Sequence, residues 1–183
     1  MRALVPLAEG FEEIEAVTII DVLRRGGIDV TVAAVGAMRA TGSHGISIEC
    51  DAPLAACDHE HMDAIVLPGG PAARRLLESL EIRALVMRAA ARGSLIAAVC
   101  AAPTVLEACG LLKGKRATSH PDEQSNMKSC IYVEDAVVED GNIITSRGAG
   151  TAIEFAAAVV KRLAGENAAR DILARIQYRL PAR

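Results

Sequence analysis

Cys100 stands between two runs of different character. Before it, Ser94-Leu95-Ile96-Ala97-Ala98-Val99 is apolar, with β-branched Ile96 and Val99, and reads as a short buried strand. After it, Ala101 to Ala108 reads as a helix start, with Pro103 where a first-turn proline is tolerated. A cysteine at such a turn can present its sulfur to a cleft at the carboxyl end of the sheet, as a nucleophile elbow does. The helix that follows points its amino terminus near the sulfur, so the order of elements predicts a thiolate favoured by the dipole. The competing reading is a buried structural thiol, since free cysteine is among the most buried residue types. Position alone leaves both open.

Three other groups could share a cleft with that sulfur. Glu15 lies one turn before Ile19, at the edge of a stripe of Ala16, Ile19, Ile20 and Leu23 with helical spacing. A carboxyl buried beside a thiolate would hold its proton, because burial and like charge both raise its pKa, and it could then work as general acid or base. Its neighbours Glu9, Glu12 and Glu13 read as solvated charges near a helix start. Pro68-Gly69-Gly70-Pro71 follows a buried strand, and its glycines could leave N–H groups unpaired for an oxyanion; the plainer reading is a tight turn before a helix. His120 precedes Pro121 at a strand end and could face the same cleft or be an ordinary loop histidine. His59-Glu60-His61 lacks a third ligand at useful spacing and reads as surface, so no metal site is expected.

The elements that must position these groups alternate. Strands are expected at Ala3 to Leu7, Ile28 to Val35, Ala64 to Leu67, Ser94 to Val99 and Arg116 to Ser119, with part of a strand pair at Ile46 to Glu49. Tyr132 to Val138 and Asn142 to Thr145 read as a hairpin through Glu139-Asp140-Gly141. Helices are expected at Glu13 to Arg25, Ala72 to Arg92, Ala101 onward, Thr151 to Leu163 and Asn167 to Ile176. Such alternation implies an α/β fold, a mostly parallel sheet covered by helices on both faces.

Composition narrows the function classes. The 183 residues suit one domain; they are 51% hydrophobic but only 2% aromatic, so the core must come from Ala, Val, Ile and Leu. A net charge of -3 gives no pull toward nucleic acid or an anionic membrane surface. No apolar run reaches the roughly 20 residues that span a bilayer, and the amino terminus reads as a strand rather than a signal peptide. Five cysteines with no Cys-x-x-Cys argue against a disulfide framework or structural zinc, and Cys50, Cys57, Cys109 and Cys130 read as structural. A cytoplasmic protein is expected.

Five motifs occur in one order: Ala8-Glu9-Gly10-Phe11-Glu12-Glu13-Ile14-Glu15-Ala16, Leu67-Pro68-Gly69-Gly70, Ala97-Ala98-Val99-Cys100-Ala101-Ala102-Pro103, Thr118-Ser119-His120-Pro121 and Thr145-Ser146-Arg147-Gly148-Ala149-Gly150-Thr151. Together they resemble the ThiJ/PfpI superfamily, in the branch of the Parkinson-associated DJ-one protein and bacterial YajL-like proteins. The resemblance implies a flavodoxin-like three-layer sandwich and a homodimer with the site near the subunit interface. It makes residues 1–183 one domain related to the class I glutamine amidotransferases. It implies Cys100 as reactive cysteine, Glu15 as its protonated partner, His120 nearby, and an oxyanion pocket at the Gly69-Gly70 turn from the N–H groups of Gly70 and Ala101. The implied activity is glyoxalase or deglycase action, without cofactor, on methylglyoxal, glyoxal or their adducts. A redox-switched chaperone or binding protein that uses the same thiol is the alternative. Ala101 stands where the peptidase branch carries histidine, which argues against protease activity. His44 stands where relatives carry arginine, so anion binding beside Ser43 is expected to be weaker or pH-dependent, with Arg25 matching the family's helix-end arginine.

Overall fold

A computed structural model describes residues 1–178; residues 179–183, the end of the expected 1–183 domain, lie outside the described residues. The chain runs β1 (Arg2–Ala8), α1 (Glu13–Arg25), β2 (Asp29–Val35), β3 (Arg39–Thr41), β4 (Ser47–Glu49), β5 (Ala52–Pro53), β6 (Ala64–Leu67), α2 (Ala72–Glu78), α3 (Leu80–Ala91) and β7 (Leu95–Val99). It continues through α4 (Pro103–Ala108), β8 (Arg116–Ala117), β9 (Ile131–Tyr132), β10 (Val137–Asp140), β11 (Ile143–Ser146), α5 (Ala152–Ala164) and α6 (Glu166–Arg175).

Seven strands form the central sheet in the order β10-β11-β7-β6-β1-β2-β5, parallel throughout except for the antiparallel β10–β11 edge. Every residue of β6 and β7 is buried, because helices cover both faces, and this is why those strands read as unbroken apolar runs. α1, α5 and α6 pack together in one outer layer, and α2, α3 and α4 in the other. This is the flavodoxin-like three-layer arrangement that the family resemblance implies. Small residues let the layers approach: a Cβ on Gly26 would come within 3.0 Å of Val160 Cγ1, so α1 rests directly on α5.

Local chemistry corrects several boundaries. The single helix expected from Ala72 to Arg92 is two, because Ser79 leaves helical geometry and its side chain caps α3 by accepting from the Ile82 N–H at 3.3 Å. The expected hairpin is shorter. Asp140 pairs with Ile143 around a Gly141-Asn142 turn with Gly141 at φ +61°, and Tyr132 joins β9, which pairs in parallel with β8. The strand expected from Arg116 to Ser119 therefore keeps only Arg116–Ala117 in its ladder. β4 pairs with β3, as a partner for Ile46 to Glu49 requires. β5 is too short to announce itself in the sequence.

Candidate active site

Parallel strands bring their carboxyl ends to one edge, so the loops after β1, β6, β7 and β11 meet there. Cys100 leaves β7 at φ +63°, in the left-handed region that a residue with a Cβ adopts only at a cost of about 1–3 kcal/mol. Three backbone hydrogen bonds hold it: Cys100 N–H to Ser146 O at 3.0 Å, His120 N–H to Cys100 O at 2.7 Å and Ala102 N–H to Val99 O at 3.0 Å. The turn is therefore gripped by β11 and by the segment carrying His120. The N–H groups of Gly70 and Ala101 face the sulfur.

The double glycine is a steric requirement. A Cβ on Gly69 would lie 2.7 Å from Cys100 Cβ and 2.9 Å from Glu15 Oε2. Gly70 sits at φ +81°, and its Cβ would lie 2.6 Å from the Glu12 nitrogen. Pro71 then leads into α2, so this segment is both a tight turn and the wall of the cleft.

Glu15 is wholly buried. Its Oε2 accepts the Gly69 N–H at 2.7 Å, while Oε1 is buried with no partner in hydrogen-bond geometry among the described residues. A carboxyl so placed is more stable with a proton on the unpartnered oxygen than as an anion. Burial, with the Glu12 charge adding to it, raises the carboxyl from its ordinary 4.5 to about 7, against the opposing pull of Gly69 and Cys100. Burial, then the charge of Glu15, pushes the Cys100 thiol up to about 12, although the Gly70 and Ala101 N–H groups act the other way. The two acids are coupled, since the charge of either one raises the other, so the first proton lost belongs to the pair and the second is held more tightly. Burial and the neighbouring carboxyl thus act against the dipole-favoured thiolate expected from the sequence. α4, six residues long and beginning three positions beyond Cys100, acts in the opposite sense.

His120 lies on the same side of the cleft. A Cβ on Gly148 would lie 3.7 Å from His120 Cδ2 and 4.0 Å from Cys100 Sγ. Its Nδ1 accepts from the Asp122 N–H at 3.3 Å, an arrangement that leaves Nε2 as the nitrogen available for chemistry. The Gly148 loop stands among the sequence motifs but was given no place in the site. Its signal was indirect, since the loop after a strand neighbouring β7 must reach the elbow.

Glu13 is also corrected, from solvated to buried. It accepts from His44 N, His44 Nδ1 at 3.0 Å, Ser43 Oγ at 3.2 Å and Ile46 N at 3.4 Å. Its burial acts upward, but the bonds from the His44 side chain and backbone and from Ile46 outweigh it and hold the carboxyl at about 2. Glu9, by contrast, is exposed and accepts from Thr41 N–H. His44 is thus engaged by Glu13, and Arg25 pairs with Asp21 at 2.7 Å. Glu12, Glu13 and His44 offer ligand atoms within 4.8 Å of one another, but both Glu13 oxygens already serve four donors. His59 Nε2 meets Leu54 O at 2.7 Å and His61 Nδ1 meets Asp58, so these histidines converge on no common ligand. Among the described residues no helix is long and apolar enough to cross a membrane.

Fold and site together define an α/β protein with a cysteine elbow and a protonatable carboxyl buried beside it. Residues 1–162 match the DJ-1/PfpI family, and the chain belongs to that family. The protein dj-1beta of Drosophila melanogaster is 43% identical over 174 residues, covering 93% of both chains. A Caenorhabditis elegans protein named glutathione-independent glyoxalase DJR-1.2 is 36% identical over 167 residues, covering 90% of this chain and 89% of its own. The crystal structure of Drosophila melanogaster DJ-1beta matches with a TM-score of 0.94 at 40% identity over 98% of both chains. Oxidized Toxoplasma gondii DJ-1 matches with a TM-score of 0.94 at 37% identity over 98% of this chain and 99% of that one.

Proposed function

We propose that the chain is a cysteine-dependent glyoxalase or deglycase that acts, without a metal or organic cofactor, on methylglyoxal, glyoxal or their adducts. The observation that carries this reading is the convergence of Cys100 Sγ, the Glu15 carboxyl and the Gly70 and Ala101 N–H groups. The likeness to the nematode protein named glutathione-independent glyoxalase supports it. Ionised Glu15 accepts the thiol proton as Cys100 Sγ bonds to the aldehyde carbon. The former carbonyl oxygen then sits against the two N–H groups as a hemithioacetal oxyanion and takes up a proton. Glu15 or His120 next removes the hydrogen from that carbon and a proton is returned to the adjacent carbon, which leaves a 2-hydroxyacyl thioester. Water cleaves the thioester, releasing the 2-hydroxy acid and restoring the thiol, so methylglyoxal plus water becomes lactate. An adduct would release its amine or thiol carrier during the same sequence.

The test is lactate formation from methylglyoxal by wild type and Cys100→Ser, without glutathione or added metal. Wild type alone should form lactate; none from either protein overturns the reading. A second reading, oxidation of Cys100 to sulfenate or sulfinate in a redox-switched binding protein or chaperone, draws on the same donors, which could hold the added oxygens. Intact mass after graded peroxide tests it, and no added oxygen on Cys100 rejects it. We further propose that the protein is cytoplasmic and that its working form is a homodimer. The support for the dimer is the exposed apolar surface of Ile14 and Val17 on α1, with Ile46 tied to the same helix through Glu13. Sedimentation showing a monomer at micromolar concentration would reject that.

A further inference from the structure

Glu12 closes a three-residue ring around the Glu15 carboxyl. The Glu12 N–H donates to Gly69 O at 3.2 Å, the Gly69 N–H donates to Glu15 Oε2 at 2.7 Å, and the Glu15 N–H donates to Glu12 Oε2 at 2.7 Å. The ring links the amino end of α1 to the glycine turn after β6, the two segments between which the carboxyl is held. Its third bond makes Glu12 the N-cap of α1. That position favours the short side chains of Ser, Thr, Asp and Asn. A cap alone would be served by any of them, or by an uncharged acceptor.

Glutamate brings a full negative charge to within one turn of a second carboxyl. The groups that face Glu15 are few: Glu12 from its own helix, the Gly69 N–H from the loop after β6, and Cys100 from the elbow. Glu13, two residues away, turns to the 43–46 loop instead. Glu12, only partly buried, is the one other carboxyl in that set, and its charge acts upward on Glu15.

We propose that Glu12 is a positioning residue for Glu15, holding its carboxyl against Gly69 through the ring and biasing it toward the protonated form by charge. The inference rests on the glyoxalase reading only in that Glu15 then serves as proton acceptor; the charge coupling itself can be measured without turnover. Glu12→Gln keeps an oxygen acceptor for the Glu15 N–H and removes the charge, whereas Glu12→Ala removes both.

The experiment is an infrared titration of the protonated carboxyl band of Glu15, identified by its loss in Glu15→Gln. It is run beside the pH dependence of Cys100 alkylation by iodoacetamide, read at the Cys100 peptide by mass. Loss of one nearby charge in a partly buried setting should move the Glu15 midpoint down by about half to one pH unit. In Glu12→Gln the alkylation profile should follow by the same amount with the melting temperature nearly kept. Glu12→Ala should show the shift together with lower thermal stability and a broadened carboxyl band. A Glu15 midpoint unchanged in Glu12→Gln would overturn the proposal and leave Glu12 as a helix cap. If wild type makes no lactate, the glyoxalase reading fails while the titration still decides the role of Glu12.

Discussion

Glu13 and Glu15 are two buried carboxyls on the first turn of one helix, yet their chemistry is opposite. Glu13 is held at about 2 and Glu15 raised to about 7. Burial acts upward on both; the difference lies in the donors. Glu13 receives two backbone N–H groups, a hydroxyl and an imidazole nitrogen from the 43–46 loop, whereas Glu15 receives one N–H and leaves an oxygen unpartnered. A carboxylate with its lone pairs filled remains an anion even when buried, and one left short of donors keeps its proton. Glu13 fastens a loop to the helix, while Glu15 retains a labile proton beside a thiol.

The largest expected effect separates the two by activity. Glu15→Gln should lower lactate formation by roughly a hundredfold to ten-thousandfold, the range for loss of a general acid or base, while Glu13→Gln should stay within about threefold of wild type. Comparable losses in both would mean that the loop clasp acts in the chemistry.

Each carboxyl is also crowded by a glycine, Gly69 at Glu15 and Gly42 at Glu13. Gly69→Ala meets the elbow itself and should cost about 1–3 kcal/mol of stability in denaturant titrations, together with most of the turnover. Gly42→Ala has Glu13 side-chain atoms as its nearest neighbours, so it should push that carboxyl off its donors and loosen the loop while sparing turnover.

Stability against pH sharpens the contrast. Unfolded Glu15 releases its proton near 4.5 and folded Glu15 near 7, so its contribution is complete below 4.5 and is lost as pH rises through about 7. Wild type should therefore fall relative to Glu15→Gln by about 2–3 kcal/mol between pH 4 and pH 8. Glu13 runs the other way: its contribution is complete above 4.5 and is lost as pH falls toward about 2. In the Glu13→Gln variant the acid limb of the unfolding curve should flatten. The smallest effect belongs to His44→Asn. It keeps the backbone donor to Glu13 and removes the imidazole, which is 74% exposed, so the melting temperature should drop by about a degree or two.

Much of this was legible in the chain. Strand-to-helix alternation marked the layers, and the pattern around Cys100 marked the elbow, because burial on both faces imposes unbroken apolar runs and proline fits a helix start. Glu15 stood out by its helical phase against Ile19. The break at Ser79 was hidden, since the apolar spacing of α2 and α3 continues across it and only the cap geometry divides them.

The sequence by itself determined which residues could meet. Four carboxyl-end loops must share an edge once their strands are parallel, and those loops carry Cys100, Gly69, Gly70 and the segment leading to Glu15. The tertiary structure alone decided their protonation. Glu13 and Glu15 differ by two places in the chain, but each carboxyl answers to donors more than 25 residues away, Ser43 and His44 for one and Gly69 for the other. The thiol, too, is pushed up by burial and by the carboxyl of Glu15, on the first helix of the chain. A pKa is set by what surrounds a group in space, and no local pattern carries that.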